Sequence, residues 1–204
     1  MADTQILKFS EGAQGFNQLQ LARPEGFEYQ PGQYVQFSDS PGAKIKYLAL
    51  ASHRSEPHLL LAGRFPLPAD KTVSISEPQG KGFACNYTDK HGFLFLTHGT
   101  GISAIRPAML ERRMFGHCND ALLYGIRSKQ DEPDLDCLAA DFGAEQLRAY
   151  SCSIDSAHVQ QRLETMDLSR FGAVLIVGSK EMMTTCREIL TARSFPAERI
   201  FSNF

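Results

Sequence analysis

The chain has 204 residues, 43% of them hydrophobic and 22% charged, with a formal net charge of -2. That is an ordinary globular composition with room for one large or two compact cores, and it gives no electrostatic reason to expect nucleic acid. No apolar run reaches the roughly 18 residues needed to span a bilayer and the N terminus lacks the basic start of a secretory signal, so a soluble cytoplasmic protein is expected, or a plastid one if the chain is a processed plant form.

From the N terminus to about Asn86, short strand-like runs alternate with Gly and Pro clusters: "QILKFS", "FNQLQLA", "YVQFS", "YLALAS", "HLLLAG" and "TVSIS". Helical periodicity is absent, so this half reads as a small antiparallel β-barrel. The polar stretch "NYTDKHG" marks a boundary, giving expected domains 1–88 and 89–204. From Gly92 the pattern predicts strand 93–97, helix 101–114, strand 121–126, a helix near 134–142, strand 147–152, helix 157–166, strand 172–177, helix 181–193 and a last strand near 199–202. That order implies an α/β five-stranded parallel sheet with helices on both faces.

Phe93 to Leu96 is apolar without alternation, as in a strand covered on both faces. It runs into Gly99, Gly101 and Ala104, which match the spacing G-x-G-x-x-G/A, where backbone N–H groups at a helix start can receive a phosphate. The other reading is a tight strand-to-helix turn. The next strand, "ALLYGI", ends in Arg127 and not in the acidic residue that commonly holds ribose hydroxyls, since Asp131 lies several residues further on. Arg127 could face a phosphate, lie over an adenine ring, or be solvated. Ligands of such sheets bind at the carboxyl ends of the strands, here Thr97 to Thr100, Arg127 and Ser128, Cys152 and Ser153, and Gly178 and Ser179.

The five cysteines, Cys85, Cys118, Cys137, Cys152 and Cys186, form no C-x-x-C pair. They point to neither a disulfide framework nor a metal centre, so redox chemistry would come from a bound organic cofactor. His98 could bond a ligand or act as a cap. Arg106 reads as a solvated helix charge.

Four motifs together resemble the ferredoxin-NADP reductase superfamily over nearly the whole chain. They are "PGQYVQF" (31–37), "HGTGISAIRPAML" (98–110), "LLYGIRSKQD" (122–131), and "VGSKEMMTTCREIL" with the C-terminal "IFSNF". The resemblance implies FAD or FMN on the barrel, NADH or NADPH on the sheet, and electron transfer to a one-electron acceptor, in some cases a partner protein. It assigns Tyr34, Lys46, Leu48, Ala49, Ala51, Ser52 and Gly80 to the flavin side. To the pyridine nucleotide it assigns His98, Gly99, Thr100, Gly101, Ile102, Arg127, Ser128, Gly178, Ser179 and Met182; Cys152, at another strand end, could lie nearby or be a buried inert thiol. Terminal Phe204 would lie against the flavin, or plug the domain interface.

Several positions depart from that pattern. In "KYLALAS" (46–52) Lys46 stands for an Arg, Leu48 for a ring-covering Tyr, and Ala49 for a hydroxyl residue beside the reactive nitrogen. The segment that normally opens a diphosphate-binding helix has shrunk to "LAGRFPLPADK" (61–71), and Val177 replaces a nicotinamide-side Cys. "LALAS", "GKGF" and the terminal "NF" resemble a small subgroup of plants and bacteria described as fruit-protein-like FAD/NAD(P)-binding oxidoreductases. No side-chain acid or base is expected to take part in hydride transfer. A flavin-less nucleotide-binding or regulatory module, or an electron-transfer subunit of a larger complex, are the alternatives.

Overall fold

Alternating burial builds the first half of the chain. In the computed structural model, which describes residues 1–12, 15–40, 42–66, 68–117, 119–125, 150–152 and 157–203, six antiparallel strands precede a parallel sheet. They are β1 (Ala2–Ser10), β2 (Phe16–Ala22), β3 (Tyr34–Ser38), β4 (Lys46–Ala49), β5 (His58–Arg64) and β6 (Thr72–Ile75), in the spatial order β4-β3-β6-β1-β2-β5. Just past β4 the chain swings back onto the far edge. Leu50 bridges Leu61, and the Ala51 amide donates to Leu60 O at 2.7 Å, so the sheet closes into a near-barrel. Leu19, Leu21, Val35, Phe37, Leu50, Leu59 and Leu61 fill it, all fully buried. Each such side chain removed from water contributes about 2 kcal/mol.

The second half contains β7 (Gly92–His98), α1 (Ile102–Met114), β8 (Ala121–Gly125), β9 (Tyr150–Cys152), α2 (Ala157–Thr165), β10 (Phe171–Val177), α3 (Lys180–Ala192) and β11 (Ile200–Phe201). The strands are parallel in the order β11-β10-β7-β8-β9. The helix expected near 134–142 lies outside the described residues. Every residue of β8 and β10 is buried, because both faces of the sheet are covered. Leu94, Leu96, Leu123 and Val174 pack with Val159 and Leu163 of α2 and with Cys186 and Leu190 of α3. On the opposite face Phe93, Phe95, Tyr124 and Leu175 pack with Ile105 and Met109 of α1.

That second face does not end at the helix. Phe16, Ala51, Ala62 and Phe83 from the first half belong to the same buried cluster, so barrel and sheet share one continuous core. The connection between them is held by Arg112 of α1, which donates to Tyr87 O at 2.9 Å, to Asp89 O and to His91 O, and pairs with Asp120 at 2.9 Å. Pro107 sits inside α1, where its missing N–H leaves the Ser103 carbonyl without the usual helical partner.

Candidate functional site

Strand order reverses between β7 and β10: the chain leaves β7 for β8 and β9, then crosses back to β10 on the other side. The carboxyl ends of these two strands, His98 and Val177, therefore flank the crevice where a wound sheet receives ligands.

The glycine turn occupies one side of it. Gly99 has φ of 53°, in the left-handed region, and opens a 3-10 turn over Gly99–Gly101 that leads directly into α1. A Cβ on Gly99 would meet nothing within 4 Å, so glycine serves the backbone angle there. Gly101 serves space instead. A Cβ on it would lie 2.4 Å from Thr97 Oγ1 and 3.1 Å from Val177 O, so the close approach is to the protein's own strand ends. Tyr124 of β8 fixes the turn from below by donating to Gly99 O at 2.9 Å.

No side chain caps the start of α1 and no acidic residue lies in its first turn. Its leading N–H groups and the positive end of its dipole are thus not neutralised from within that turn, the condition for receiving an anion. Two buried hydroxyls, Thr97 Oγ1 at the end of β7 and Ser103 Oγ in the first turn of α1, have no hydrogen-bond partner among the described residues.

Across the crevice, Ser179 caps α3, accepting from the Met182 amide at 3.3 Å. Its own amide donates to His98 Nε2 at 3.0 Å. Gly178 lies under that ring: a Cβ there would be 2.7 Å from His98 Cδ2 and 2.9 Å from Met182 Sδ. The structure thus brings His98, Gly99, Thr100, Gly101, Ile102, Gly178, Ser179 and Met182 together. Cys152 ends β9, two strands from β7. Arg127, Ser128 and Phe204 lie outside the described residues.

The residues expected on the flavin side divide. Tyr34 packs its ring on Gly80, where φ is 84° and a Cβ would stand 3.0 Å from Tyr34 Cε1 and 3.5 Å from Asn203 O. Asn203 donates to Gly32 O at 3.1 Å, so the end of the chain is tied to the turn preceding β3. Ala49 is half-buried against the shared core. Leu48 points into the barrel core, while its neighbour Tyr47 is 65% exposed and stands edge-to-face with Tyr34 at 5.9 Å. Lys46 is paired with Asp39 at 3.0 Å. Ser52 is fully buried, its Oγ 2.7 Å from Tyr29 Oη and accepting the Leu60 amide at 3.0 Å. Ala51 O accepts from Arg106 at 2.7 Å.

A flavin, which the resemblance implies, meets a split environment. The half-buried Ala49, the Tyr34 ring and Gly80 offer flat, largely apolar surface that fits an isoalloxazine ring. The phosphates fit less well, because Lys46 is already paired and no helix occurs between β5 and β6 among the described residues. For the nucleotide the fit is closer, since α1 starts at the glycine turn with no side-chain cap and no acidic residue in its first turn.

Arg106 departs from expectation. It is 6% exposed and pairs with Glu56 at 3.0 Å, so it is a buried contact to the barrel and not a solvated charge. Glu111, His53 and Arg54 form a second such contact, with Glu111 2.5 Å from His53 Nε2 and 2.6 Å from Arg54. No one-dimensional pattern marked these residues; the only signal was a Glu and three Arg on a helix whose other residues are largely apolar. Tyr47 and Asn203 were also passed over. Among the described residues no cluster of His, Cys, Asp and Glu could hold a metal ion, and no helix is long and apolar enough to cross a membrane.

No family model matches the chain, and no curated protein matches it in sequence. Solved structures do. Phthalate dioxygenase reductase, described as a modular structure for electron transfer from pyridine nucleotides to [2Fe-2S], superposes with TM-score 0.78 at 16% identity, covering 98% of this chain and 67% of its own. The flavohem-like FAD/NAD-binding domain of nitric oxide dioxygenase from Vibrio cholerae gives 0.74 at 14% identity, covering 98% and 96%. A ferredoxin-NADP+ reductase from Plasmodium falciparum gives 0.77 at 14% identity, covering 98% and 94%. These likenesses establish a ferredoxin reductase-like fold.

Proposed function

We propose that this protein is a flavin-dependent NAD(P)H oxidoreductase passing electrons between a pyridine nucleotide and a one-electron acceptor. The observation that carries the reading is the Gly99–Gly101 turn, which stands at the switch point, opens an uncapped helix and lies beside β5 of the barrel. A dinucleotide with its diphosphate on that turn would have one end within reach of the barrel. In this division residues 1–88 take FAD or FMN and residues 89–204 take NADH or NADPH. The fold shared with a reductase that passes electrons from pyridine nucleotides and with an FAD/NAD-binding domain supports it.

Each residue then has a physical task. The amides of Gly101 and Ile102 would hold the diphosphate, with Thr97 packed beneath Gly101 to support the turn. His98, Gly178 and Met182 would shape the wall along which the nicotinamide lies. Ala49, Tyr34 and Gly80 would bound a flavin ring, with Phe204 near its outer face. A bound flavin supplies the conversion of a two-electron hydride into single electrons; the protein supplies alignment and exclusion of water. Arg127 and Ser128 would meet the adenosine end.

A second reading is favoured by one observation. Lys46 is spent on Asp39 and Leu48 is turned inward, as expected of a barrel that has lost its flavin and left a nucleotide-binding or regulatory module. A visible spectrum of the purified protein separates the two. Absorbance near the flavin bands, bleached by NADH or NADPH, is expected. A colourless protein that neither FAD nor FMN reconstitutes, yet binds NADH by calorimetry, would establish the second reading.

A further inference from the structure

Helix α1 joins both parts of the candidate site. Its N terminus is the glycine turn, and at 13 residues it extends about 20 Å. One turn in, Arg106 reaches the loop between β4 and β5, donating to Ala51 O at 2.7 Å and to Glu56 at 3.0 and 3.4 Å. Further along, Glu111 reaches the same loop through His53 and Arg54. That loop directly continues β4, the strand assigned to the flavin side. One helix thus fixes the nucleotide turn at its start and the barrel strand along its flank.

The Ser55 amide donates to His53 Nδ1 at 3.2 Å, with Ser55 Oγ 2.7 Å from the same nitrogen, and His53 Nε2 faces Glu111 at 2.5 Å. Arg54 pairs with the Glu111 carboxylate as Arg106 does with Glu56. His53, Arg106 and Glu111 are each less than one-tenth exposed. Buried ion pairs lose much of their Coulomb gain to desolvation, so apolar residues of similar volume often hold a fold as well. They differ in being directional.

We infer that Arg106 and Glu111, with His53, Arg54 and Glu56, are positioning residues that set the distance between the glycine turn and the barrel strand, and hence between nucleotide and flavin. The inference rests on the proposed function for its kinetic consequence only. Displacement of reacting groups by about 1 Å can cost on the order of 100-fold in rate, whereas a dinucleotide bound to α1 alone keeps its contacts.

The test uses the full chain with Glu111→Ala, Glu111→Gln and the double variant Arg106→Met with Glu56→Leu. NADH-ferricyanide turnover, NADH binding by calorimetry, thermal melting and amide exchange are measured on each. Expected for Glu111→Ala and the double variant is a tenfold or larger fall in kcat with NADH Kd unchanged within twofold. Glu111→Gln, whose one amide oxygen still accepts from Arg54 while its NH2 group faces His53 Nε2, restores at least a third of the lost rate. The double variant, in which the Ala51 carbonyl and the His53 amide also lose their partners, stays folded with a lower melting temperature, and exchange at 51–56 quickens in it. A kcat within twofold of the parent in the double variant overturns the inference, as does a fall in kcat matched by Kd or by loss of folded protein. Should the parent bind NADH without turning over, the proposed function fails by itself. Exchange then decides: quickening confined to 51–56 in the folded double variant supports the positioning role, and unchanged exchange overturns it.

Discussion

His98 and Ser179 are hydrogen-bonded across the switch point, Nε2 accepting from the amide at 3.0 Å. Replacement by Phe keeps a ring over Gly178 but removes the acceptor, so a loss of about 1 kcal/mol is expected in urea unfolding. Gln, whose side-chain oxygen accepts, should recover part of it. If the ring also lines the nucleotide wall, both variants weaken NADH binding in calorimetry, Phe more than Gln.

The two glycines of the turn should fail differently. Ala at Gly99 has room but must hold a left-handed φ, which costs on the order of 1–2 kcal/mol. Ala at Gly101 would strike Thr97 Oγ1, forcing the helix start away from the end of β7. We expect Gly101→Ala to be the more destabilising in urea unfolding and to weaken NADH binding at least tenfold, with Gly99→Ala weakening it less.

Arg112 is 0% exposed, lies 3.9 Å over the Phe93 ring, and bonds Asp120 together with three carbonyls of residues 87–91. Lys cannot reproduce that fork. Arg112→Lys and Arg112→Ala should both destabilise, the latter by about 3 kcal/mol because Asp120 and the carbonyls lose their partner. Limited proteolysis should then cut between 86 and 91, where the parent resists.

Burial pushes the Cys85 thiol up to about 11 and the Cys186 thiol up to about 12, from an ordinary 9.0. In the unfolded chain both ionise near 9, so the native state holds more protons between 9 and 11. Stability is accordingly full below about pH 9 and falls as pH climbs toward 11. A urea series from pH 8 to 10.5 should show that fall, and Cys186→Ser should reduce its slope. An aromatic disulfide reagent at pH 8 should leave both thiols unmodified in the native protein.

Much of the fold was legible because two periodicities differ. "FNQLQLA" and "YVQFS" alternate, and both are strands at the expected residues. The apolar runs at 93–96 and 172–177 carry no alternation, and both lie inside a covered sheet. Gly99 and Gly101 stood out because a left-handed angle and a crowded contact both demand glycine. Leu48 was harder to place, because a strand's pattern does not say which of two apolar-tolerant neighbours turns inward; the structure turns Leu48 in and Tyr47 out. Arg106 could not be placed at all, since a charge on an amphipathic helix looks the same whether it meets water or a carboxylate from another part of the chain.

The sequence by itself determined the order and type of the elements and the glycine turn, because backbone preference and hydrophobic period act over a few neighbouring residues. Only the tertiary structure decided that His98 meets Ser179, that Lys46 is held by Asp39, and that α1 is bolted to the barrel through Arg106 and Glu111. Most of those partners lie tens of residues apart, and which polar groups meet in a low-dielectric interior is set by how the layers close over one another.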